Sequence, residues 1–475
     1  MKTTKKKAVA PAKAAKKVVK KVVKKKVVVK AATKTEESIL SVPHIIGKKR
    51  DGKRLTAEEI KWFVDRYTSK IIPDYQMSAL LMAMYINGMS TEETAALTDT
   101  MLYSGTIIKL DDPTVIDKHS TGGIGDKTTF VVAPIAAAAG VKVPSIAGRG
   151  LGFTGGTVDK IEAIKGYQTA VTLEQYQKLL MENGLVLMGQ TGDFAPADKV
   201  IYALRDVTAT VSSIPLITAS IMSKKLAEGL AGIVLDVKYG AGAFMKEWKD
   251  ARALAQSLAD TAARFDKKSM VFLTDMSQPL GITVGNSLEV IECIELLKGN
   301  APKDLYDICI ELSGGMIFLA GLAKNHKEGM AKAKAMVESG AALKKFEQMI
   351  AAQGGDASYV HDYSLFPTAA KRREVCANAD GYIASFENEE IGHMCTELGG
   401  GRKVANAPID HGVGFSFHKK IGDKIKKGDL LVTIHYNADQ ELLCETLAQR
   451  FINVIIKVSS KKVPAPKLIA ERILR

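Results

Sequence analysis

From residue 113 to about residue 300, the sequence repeats one pattern, in which a short apolar segment leads into a loop and then into a helix. The apolar segments are 115–117, 141–146, 232–237 and 270–274. Glycine pairs or clusters follow the first three of them. Strands that alternate with helices build a mostly parallel sheet, and ligands of such sheets bind where the strands end. The repeat therefore predicts an α/β fold whose glycine loops form the binding site.

Three short helices are predicted before this repeat, near residues 56–69, 73–87 and 91–104. Thr56 with Glu59 and Ser90 with Glu93 have the spacing of capping boxes, which satisfy backbone amides at helix starts. Helices this short bury little area by themselves. We therefore expect a small all-helical domain over residues 36–106, completed by residues 196–228, whose pattern is also helical.

Two further units are expected after this helical domain. Residues 107–350 should form the larger α/β domain that binds phosphate, and residues 355–475 a C-terminal α+β domain rich in strands and glycine. The stretch 412–435 resembles a biotinyl or lipoyl hairpin, but the turn at 436–438 lacks the lysine that such carriers modify. A structural module without carrier function is therefore expected.

The basic charge of the chain is concentrated at its start. Residues 1–35 contain 14 lysines and no aspartate, glutamate or arginine, whereas the rest of the chain carries 52 basic and 52 acidic side chains. Repulsion between like charges predicts a disordered tail over residues 1–35. Such a tail either contacts nucleic acid or another polyanion through counterion release or stays solvated, and both alternatives remain open.

Cysteine usage and hydropathy bear on location. The five cysteines lie far apart and form no C-x-x-C pair, which is typical of a reducing cytoplasm and not of a disulfide framework. The apolar stretch 130–141 has 12 residues, whereas a membrane span needs about 20. We expect a cytoplasmic protein that contacts no membrane.

The first glycine loop covers residues 118–127, with the sequence KHSTGGIGDK. Its glycines let backbone amides approach an anion, its hydroxyls donate hydrogen bonds, and the following helix presents its positive end. It is not a Walker loop, because no Gly-Lys-Ser/Thr stands at the required spacing. A tight turn with hydroxyl caps is the alternative, but Lys118, His119 and Ser120 at a strand end favour phosphate binding.

The second glycine loop covers residues 147–162. Residues 150–155 contain the G-x-G-x-x-G of a dinucleotide fingerprint, with Glu174 as the acid about 20 residues on. An NAD-dependent enzyme is therefore one alternative, although two neighbouring loops offer more anion donors than one pyrophosphate needs. Thr157 is placed both to cap the next helix and to donate to an anion.

A third group of polar residues lies at Arg205, Ser220 and Lys224. Ser220 and Lys224 are four residues apart and share one face of a predicted helix. Together with Arg205 they supply only donors, which suit carbonyl oxygens or a developing negative charge. An exposed basic helix face is the alternative.

In combination, these segments resemble the thymidine and pyrimidine-nucleoside phosphorylases. Residues 115–126, 148–162 and 202–225 carry the resemblance, which extends over about residues 38–475. It implies a homodimer whose active site lies between a small helical domain and a larger α/β domain hinged to it. It also implies reversible phosphorolysis, in which a pyrimidine (deoxy)nucleoside and inorganic phosphate give free base and (deoxy)ribose 1-phosphate without a cofactor.

The resemblance also implies roles for individual residues. By residue match, the phosphate ligands would be Lys118, Ser120, Thr129 and Thr157. The pyrimidine would be held by Arg205, Ser220 and Lys224. His119 would lie beside the base and the sugar, where it would protonate or hydrogen-bond the base.

Three positions depart from the family pattern. Ala147 stands where a phosphate-binding serine is usual, and we expect Ser145 to supply that hydroxyl instead; Phe153 stands where histidine is common. Lys127 replaces a threonine that binds a monovalent cation in some members. The remaining ligands of that potassium site match at Gly125, Leu280, Thr283 and Glu292. Either potassium binds there or the Lys127 ammonium takes its place, and the lysine favours the second.

Two other functions stay open. An anthranilate phosphoribosyltransferase-like enzyme of the same fold would need acidic residues for magnesium pyrophosphate, and the second loop offers only Asp159 and Glu162. A polyanion-binding protein acting through the lysine-rich tail is the alternative from a different class.

Overall fold

The structure is a computed structural model that describes residues 40–150, 153–402 and 407–475. The tail predicted over residues 1–35 lies outside these ranges. The first elements are the helices α1 (Val42–Arg50), α2 (Ala57–Thr68), α3 (Asp74–Asn87) and α4 (Thr91–Leu102). The last three confirm the predicted helices, and both predicted capping boxes are formed, at Thr56 with Glu59 and at Ser90 with Glu93.

The alternating region begins with two strand–loop–helix units. Its elements are β1 (Ile116–Ser120), α5 (Thr129–Ala138), β2 (Val143–Ala147), α6 (Thr157–Ile161), α7 (Leu173–Asn183) and β3 (Leu185–Gly189). β2 pairs in parallel with β3. A parallel bridge between Val115 and Lys142 connects the starts of β1 and β2. The two glycine loops therefore leave neighbouring strands at the same edge.

The second part of this region supplies the rest of the sheet and most of its covering helices. Its elements are α8 (Pro196–Val207), α9 (Ile214–Ala227), β4 (Gly232–Tyr239), α10 (Trp248–Arg264), β5 (Lys268–Asp275), β6 (Thr283–Val284), α11 (Asn286–Leu297), α12 (Lys303–Leu319), α13 (His326–Glu338) and α14 (Ala341–Ala352). β1, β4 and β5 pair in parallel in that order. Seven of the eight residues of β4 are buried, because helices cover both faces of a parallel sheet.

Helices α8 and α9 pack against the first helices of the chain. Ile201 of α8 and Leu216 of α9 share a buried cluster with Phe63, Leu81 and Met101. These two helices therefore connect the helical bundle to the sheet, since β4 follows directly after α9.

The C-terminal part is an α+β module, as expected. Its elements are β7 (Lys371–Cys376), β8 (Gly381–Phe386), α15 (Asn388–Glu397), β9 (Gly414–Phe417), β10 (Lys424–Ile425), β11 (Leu430–Tyr436), α16 (Glu441–Arg450), β12 (Ile456–Ser459) and β13 (Ile469–Leu474). Two antiparallel sheets form, in the orders β6-β9-β11-β7 and β10-β8-β12. β13 leaves the module and pairs antiparallel with β5, so the parallel sheet ends in an antiparallel edge strand.

Two classes of feature are not found in the described part of the chain. None of its helices combines the length and the apolar character that crossing a bilayer requires. Nor do its histidine, cysteine, aspartate and glutamate side chains form a group of three that would hold a metal ion. All five cysteines are free thiols.

Candidate active site

Glycines shape the two loops that follow β1 and β2. Gly125 in the first loop has a φ of +74°, and a Cβ there would lie 2.7 Å from the carbonyl oxygen of Leu280. Gly156 in the second loop packs so closely on the backbone of Arg149 and Gly150 that no Cβ fits between them. A larger residue at Gly125 would push the first loop away from Leu280, and one at Gly156 would force the second loop open, so both glycines are needed for the loop geometry.

The loops enclose a cavity of about 120 Å³. Its walls contain all five residues predicted to bind phosphate, which are Lys118, Ser120, Thr129, Ser145 and Thr157. They come from four elements, β1, α5, β2 and α6. The first turns of α5 and α6 both meet the cavity, and helix N-termini favour anions because their backbone amides and dipoles point outward.

Asp126, which the sequence analysis did not single out, also lines this cavity. Its Oδ2 accepts a hydrogen bond from Ser120 Oγ at 2.5 Å, and its Oδ1 accepts one from Thr128 Oγ1 at 2.8 Å. Lys118 Nζ donates to the same Thr128 Oγ1 at 2.6 Å. The carboxylate therefore orients two of the predicted phosphate ligands.

Ser220 and Lys224 face one another on α9, with Lys224 Nζ donating to Ser220 Oγ at 2.8 Å. The ammonium also forms an ion pair with Asp198 of α8, at 2.5 Å from Oδ2. The expectation that this face supplies only donors was wrong, because the buried Asp198 carboxylate lies within it. Asp198 fixes the Lys224 ammonium and leaves the side chain of Lys224 partly exposed.

Arg205 is almost completely buried, with 1% of its surface exposed. Its guanidinium donates to the carbonyl oxygens of Thr210 and Val211, in the turn between α8 and α9, and of Leu216 in the first turn of α9. A guanidinium has five N–H groups, so two of them make no hydrogen bond within the described part of the chain. The structure thus places Arg205 as a brace of this turn, and its role on the pyrimidine stays a prediction.

His119 lines the cavity beside Lys118 and Ser120. Burial lowers the pKa of His119 well below 6.5, and the ammonium groups of Lys225, Lys118 and Lys224 lower it further. The imidazole is therefore neutral near pH 7. Of the two roles predicted for His119, a neutral ring favours hydrogen bonding to the base over its protonation.

Lys225 lies under the cavity, where its Nζ contacts Asp117 Oδ2 at 2.6 Å, Glu228 Oε1 at 2.7 Å and the carbonyl oxygen of Ile146 at 2.9 Å. Although burial disfavours the charged ammonium, the two carboxylates raise the pKa of Lys225. These contacts join α9 to β1 and β2, so they fix the position of the helix that carries Lys224 relative to both loops.

Three of the four residues expected to bind potassium, Leu280, Thr283 and Glu292, contact Lys127 through their oxygens. Its buried Nζ donates to the carbonyl oxygens of Leu280 and Thr283 at 3.1 and 2.8 Å, to Thr283 Oγ1 at 3.2 Å and to Glu292 Oε2 at 2.6 Å. Gly125 packs on the same two carbonyls. A lysine ammonium thus stands at the centre of this oxygen cluster.

Ala147 and Phe153, the two other departures from the family pattern, lie in different surroundings. Ala147 and Ser145 both line the cavity, so the Ser145 hydroxyl is available on the wall where Ala147 has none. Phe153 lies outside this lining and packs on Phe244 and His393, with ring centroids 5.4 and 6.0 Å apart. It connects the second loop to helix α15 of the C-terminal module.

Asp117, Asp126, Asp198 and Lys225 are the site residues that sequence reasoning missed. A signal was present for two of them, since Asp126 lies within the first glycine loop and Lys225 follows Lys224 directly. Their partners, however, come from other elements and are not visible from spacing along the chain.

Comparison with known proteins identifies the family. Family models match three successive parts of the chain: the glycosyl transferase family helical bundle domain (43–105), its a/b domain (112–343) and the pyrimidine nucleoside phosphorylase C-terminal domain (382–452). The pyrimidine-nucleoside phosphorylase of Geobacillus stearothermophilus is 46% identical over 431 residues, which cover 90% of this chain and 99% of that protein. The chain belongs to the pyrimidine-nucleoside phosphorylase family.

Other members of the family show the same relationship. The Bacillus subtilis pyrimidine-nucleoside phosphorylase is 47% identical over 427 residues, or 90% of this chain and 98% of that protein. Among solved structures, anthranilate phosphoribosyltransferase from Thermus thermophilus is similar with a TM-score of 0.54 and 20% identity, over 65% of this chain and 99% of that one. That likeness is one of fold. The resemblance inferred from the sequence is confirmed.

Proposed function

We propose that this chain catalyses the reversible phosphorolysis of pyrimidine nucleosides or deoxynucleosides. A phosphate oxygen forms a bond to C1′ of the sugar while the bond from C1′ to the base nitrogen breaks. The products are the free base and a pentose 1-phosphate. The cavity that gathers five predicted phosphate ligands carries this proposal, in a chain 46–48% identical to pyrimidine-nucleoside phosphorylases over most of its length.

The phosphate site acts mainly by positioning. Phosphate is already a nucleophile, so the enzyme gains most by holding it against C1′ in the right orientation. Lys118 uses one of its three N–H groups on Thr128 and retains two for an anion. The hydroxyls of Thr129, Ser145 and Thr157 complete a set of donors around the cavity.

The base-binding group stabilises the leaving base. As the bond to C1′ breaks, negative charge develops on the pyrimidine, and fixed donors aimed at it lower the barrier. Lys224 supplies an ammonium oriented by Asp198 and Ser220, and neutral His119 supplies a hydrogen bond. The base then leaves as an anion and takes its proton from solvent.

The alternatives are less well supported by the contacts. Arg149 binds both Asp159 and Glu162, and Arg402 also binds Asp159, so the second-loop acids are engaged and not free for magnesium pyrophosphate. Glu174 lies in the first turn of α7 and does not line the cavity between the loops, whereas the acid of a dinucleotide fold has to reach a ribose hydroxyl of the bound ligand. Neither a phosphoribosyltransferase nor an NAD enzyme is favoured.

The proposal requires no cofactor, with inorganic phosphate as the second substrate. The Lys127 ammonium supplies the charge that a monovalent cation would bring to the oxygen cluster of Thr283 and Glu292. Removal of potassium should therefore leave the activity unchanged.

We also infer a homodimer, through one face of helix α3. Tyr75, Met82 and Ile86 recur at seven and four residues along this helix and are exposed, Tyr75 and Ile86 by more than 70%. Ile71, four residues before Tyr75, is exposed as well. A contiguous exposed apolar surface of this kind marks an interaction site. Sedimentation should give a dimer for the wild type and a monomer for Ile86→Glu.

The proposed function is tested by incubating the protein with thymidine or with uridine, in the presence and in the absence of phosphate. The release of free base is measured by ultraviolet absorbance. We expect release only when phosphate is present, and Lys224→Ala should reduce it strongly. Lys249→Ala, on an exposed part of α10, is the control with the same charge change. Base release that is independent of phosphate would contradict phosphorolysis.

A further inference from the structure

A carboxylate faces the cavity in which phosphate is proposed to bind. Asp126 lines this cavity with Lys118, Ser120 and Thr157. Burial alone would raise the pKa of Asp126, but the ammonium groups of Lys118 and Lys238 and the Ser120 hydrogen bond hold it well below 3.8. An ionised carboxylate inside an anion site needs an explanation, because like charges repel when they are brought together.

The hydrogen atoms in this part of the cavity are already assigned. Lys118 Nζ donates to Thr128 Oγ1, so the single Thr128 hydroxyl proton points to Asp126 Oδ1. The single Ser120 hydroxyl proton points to Asp126 Oδ2, and Ser120 Oγ accepts from the Gly122 amide. Asp126 thus takes the proton that Ser120 would otherwise offer to a bound anion.

A carboxylate has room for more donors than it receives here. Two carboxylate oxygens offer about four acceptor positions, and Oδ2 of Asp126 receives one hydrogen bond from the described residues. Oδ2 is therefore able to accept a hydrogen bond from a ligand. Only a ligand that carries its own proton makes such a bond.

We propose that Asp126 is a specificity-determining residue that accepts the proton of hydrogen phosphate, so that the cavity takes oxyanions bearing a proton and discriminates against sulfate. The hydroxyl of hydrogen phosphate donates to Oδ2, and the Ser120 hydroxyl turns to an unprotonated phosphate oxygen. No proton is gained or lost in this exchange. The inference rests on the proposed function, since it concerns the same phosphate site.

Sulfate has nearly the same shape as phosphate but no proton near pH 7. A sulfate oxygen and the Asp126 carboxylate are both hydrogen-bond acceptors, so no hydrogen atom would lie between them. Their like charges would also repel. Hydrogen arsenate carries a proton and is expected to behave like phosphate. The three anions therefore separate recognition of a proton from recognition of size and charge.

Binding of the three anions to the wild-type protein tests the proposal directly. Calorimetric titration at pH 7.5 and constant ionic strength should give phosphate and arsenate constants at least about tenfold tighter than that of sulfate, the factor expected for one hydrogen bond to a charged group. Sulfate binding as tight as phosphate binding would overturn the proposal. This measurement needs no variant.

Asp126→Asn then tests the residue itself. The amide keeps an oxygen for Thr128 but presents N–H groups to the anion, so phosphate should bind more weakly, sulfate more tightly, and their ratio should approach one. Asp307→Asn removes the same charge from an exposed pair with Lys303 and should leave the ratio unchanged. If Asp126→Asn weakens both anions alike, Asp126 only holds the loop and the proposal is wrong.

Failure of this inference is distinguishable from failure of the proposed function. Phosphate-dependent release of base together with equal phosphate and sulfate affinities overturns the role of Asp126 alone. If the protein binds phosphate more tightly than sulfate but releases no base in the presence of phosphate, the proposed reaction is wrong and the role of Asp126 in anion binding still holds.

Discussion

The Nζ atom of Lys127 lies 2.6 Å from Oε2 of Glu292, and both side chains are nearly inaccessible to water. The pair connects the end of the first glycine loop to helix α11, 165 residues along the chain. Although burial disfavours a charged lysine, Glu292 and Glu289 raise the pKa of Lys127. The ammonium is therefore charged, and the position of the loop depends on it.

Lys127→Ala should convert this internal cation into a requirement for an external one. The variant leaves a carboxylate buried without its partner, which typically costs about 3–5 kcal/mol, so its melting temperature and turnover should both fall. Potassium should restore part of both, whereas the wild type should respond equally to sodium and potassium chloride. Lys303→Ala, which removes an exposed ammonium on α12, should show no potassium response. A wild-type enzyme that needs potassium would refute this account of Lys127.

Lys118→Ala and Thr157→Ala should raise the KM for phosphate and change the KM for the nucleoside much less. Each removes one donor to a charged ligand, and such a bond is worth about 1.5–3 kcal/mol, or roughly 10- to 150-fold. Initial rates over a grid of both substrates give the two constants. Equal losses for both substrates would show that these residues do not belong to a separate phosphate site.

Ala147→Ser should be tolerated and should lower the KM for phosphate, because it adds a hydroxyl to the wall that already carries Ser145. A gain of up to about 1.5–3 kcal/mol is the scale for a new bond to a charged group. The double change Ala147→Ser with Ser145→Ala tests whether the two hydroxyls substitute for one another. A large loss of activity in the single variant would mean that the wall has no space for the added oxygen.

The pH profile should show that His119 acts as a neutral ring. Because burial and the nearby lysines lower the pKa of His119, the ring stays neutral as the pH falls through 6.5 and gains a proton only in more acid solution. At saturating phosphate, turnover limited by chemistry should therefore stay flat as the pH falls through 6.5 and decline only in more acid solution. A rate that rises as the pH falls through 6.5 would point to an imidazolium acid instead. His119→Asn, which retains an N–H donor, should keep more activity than His119→Ala.

Deleting residues 1–35, which lie outside the described residues, should leave phosphorolysis unchanged, since no candidate site residue lies among them. The deletion removes 14 lysines. We propose that these lysines contact polyanions, so the full chain should be retained on heparin with a steep dependence on salt and the deleted chain should not. Equal retention of both chains would leave the solvated-tail alternative. Loss of turnover on deletion would show that the tail is more than an appendage.

Short-range patterns predicted the strands that bear the phosphate cavity and the helices at the start of the chain. The apolar segments before the two glycine loops became β1 and β2, and the caps at Thr56 and Ser90 began the predicted helices. These features follow from residues within a few positions of one another. The resemblance added the grouping of Lys118 with Thr129 and Thr157, because a family pattern carries information on distant contacts.

Long-range pairing was not predictable from the same patterns. β13 pairs with β5 although about 200 residues separate them, and no periodicity along either strand specifies a partner. Likewise, Lys224 looked like a free donor because Asp198, 26 residues away, lies on another helix. Asp126 was overlooked since its importance comes from the hydroxyl protons it accepts, which only the arrangement of the loop reveals.

Phosphorus NMR of the wild-type protein with thymidine and inorganic phosphate tests the central claim most directly. If a phosphate oxygen attacks C1′, a phosphomonoester signal should appear, and its integral should correspond to one equivalent of sugar phosphate for each equivalent of thymine released. In the reverse direction, thymine and the isolated sugar phosphate should regenerate thymidine. Release of thymine while all phosphate remains inorganic would mean that water is the nucleophile, and would contradict the account.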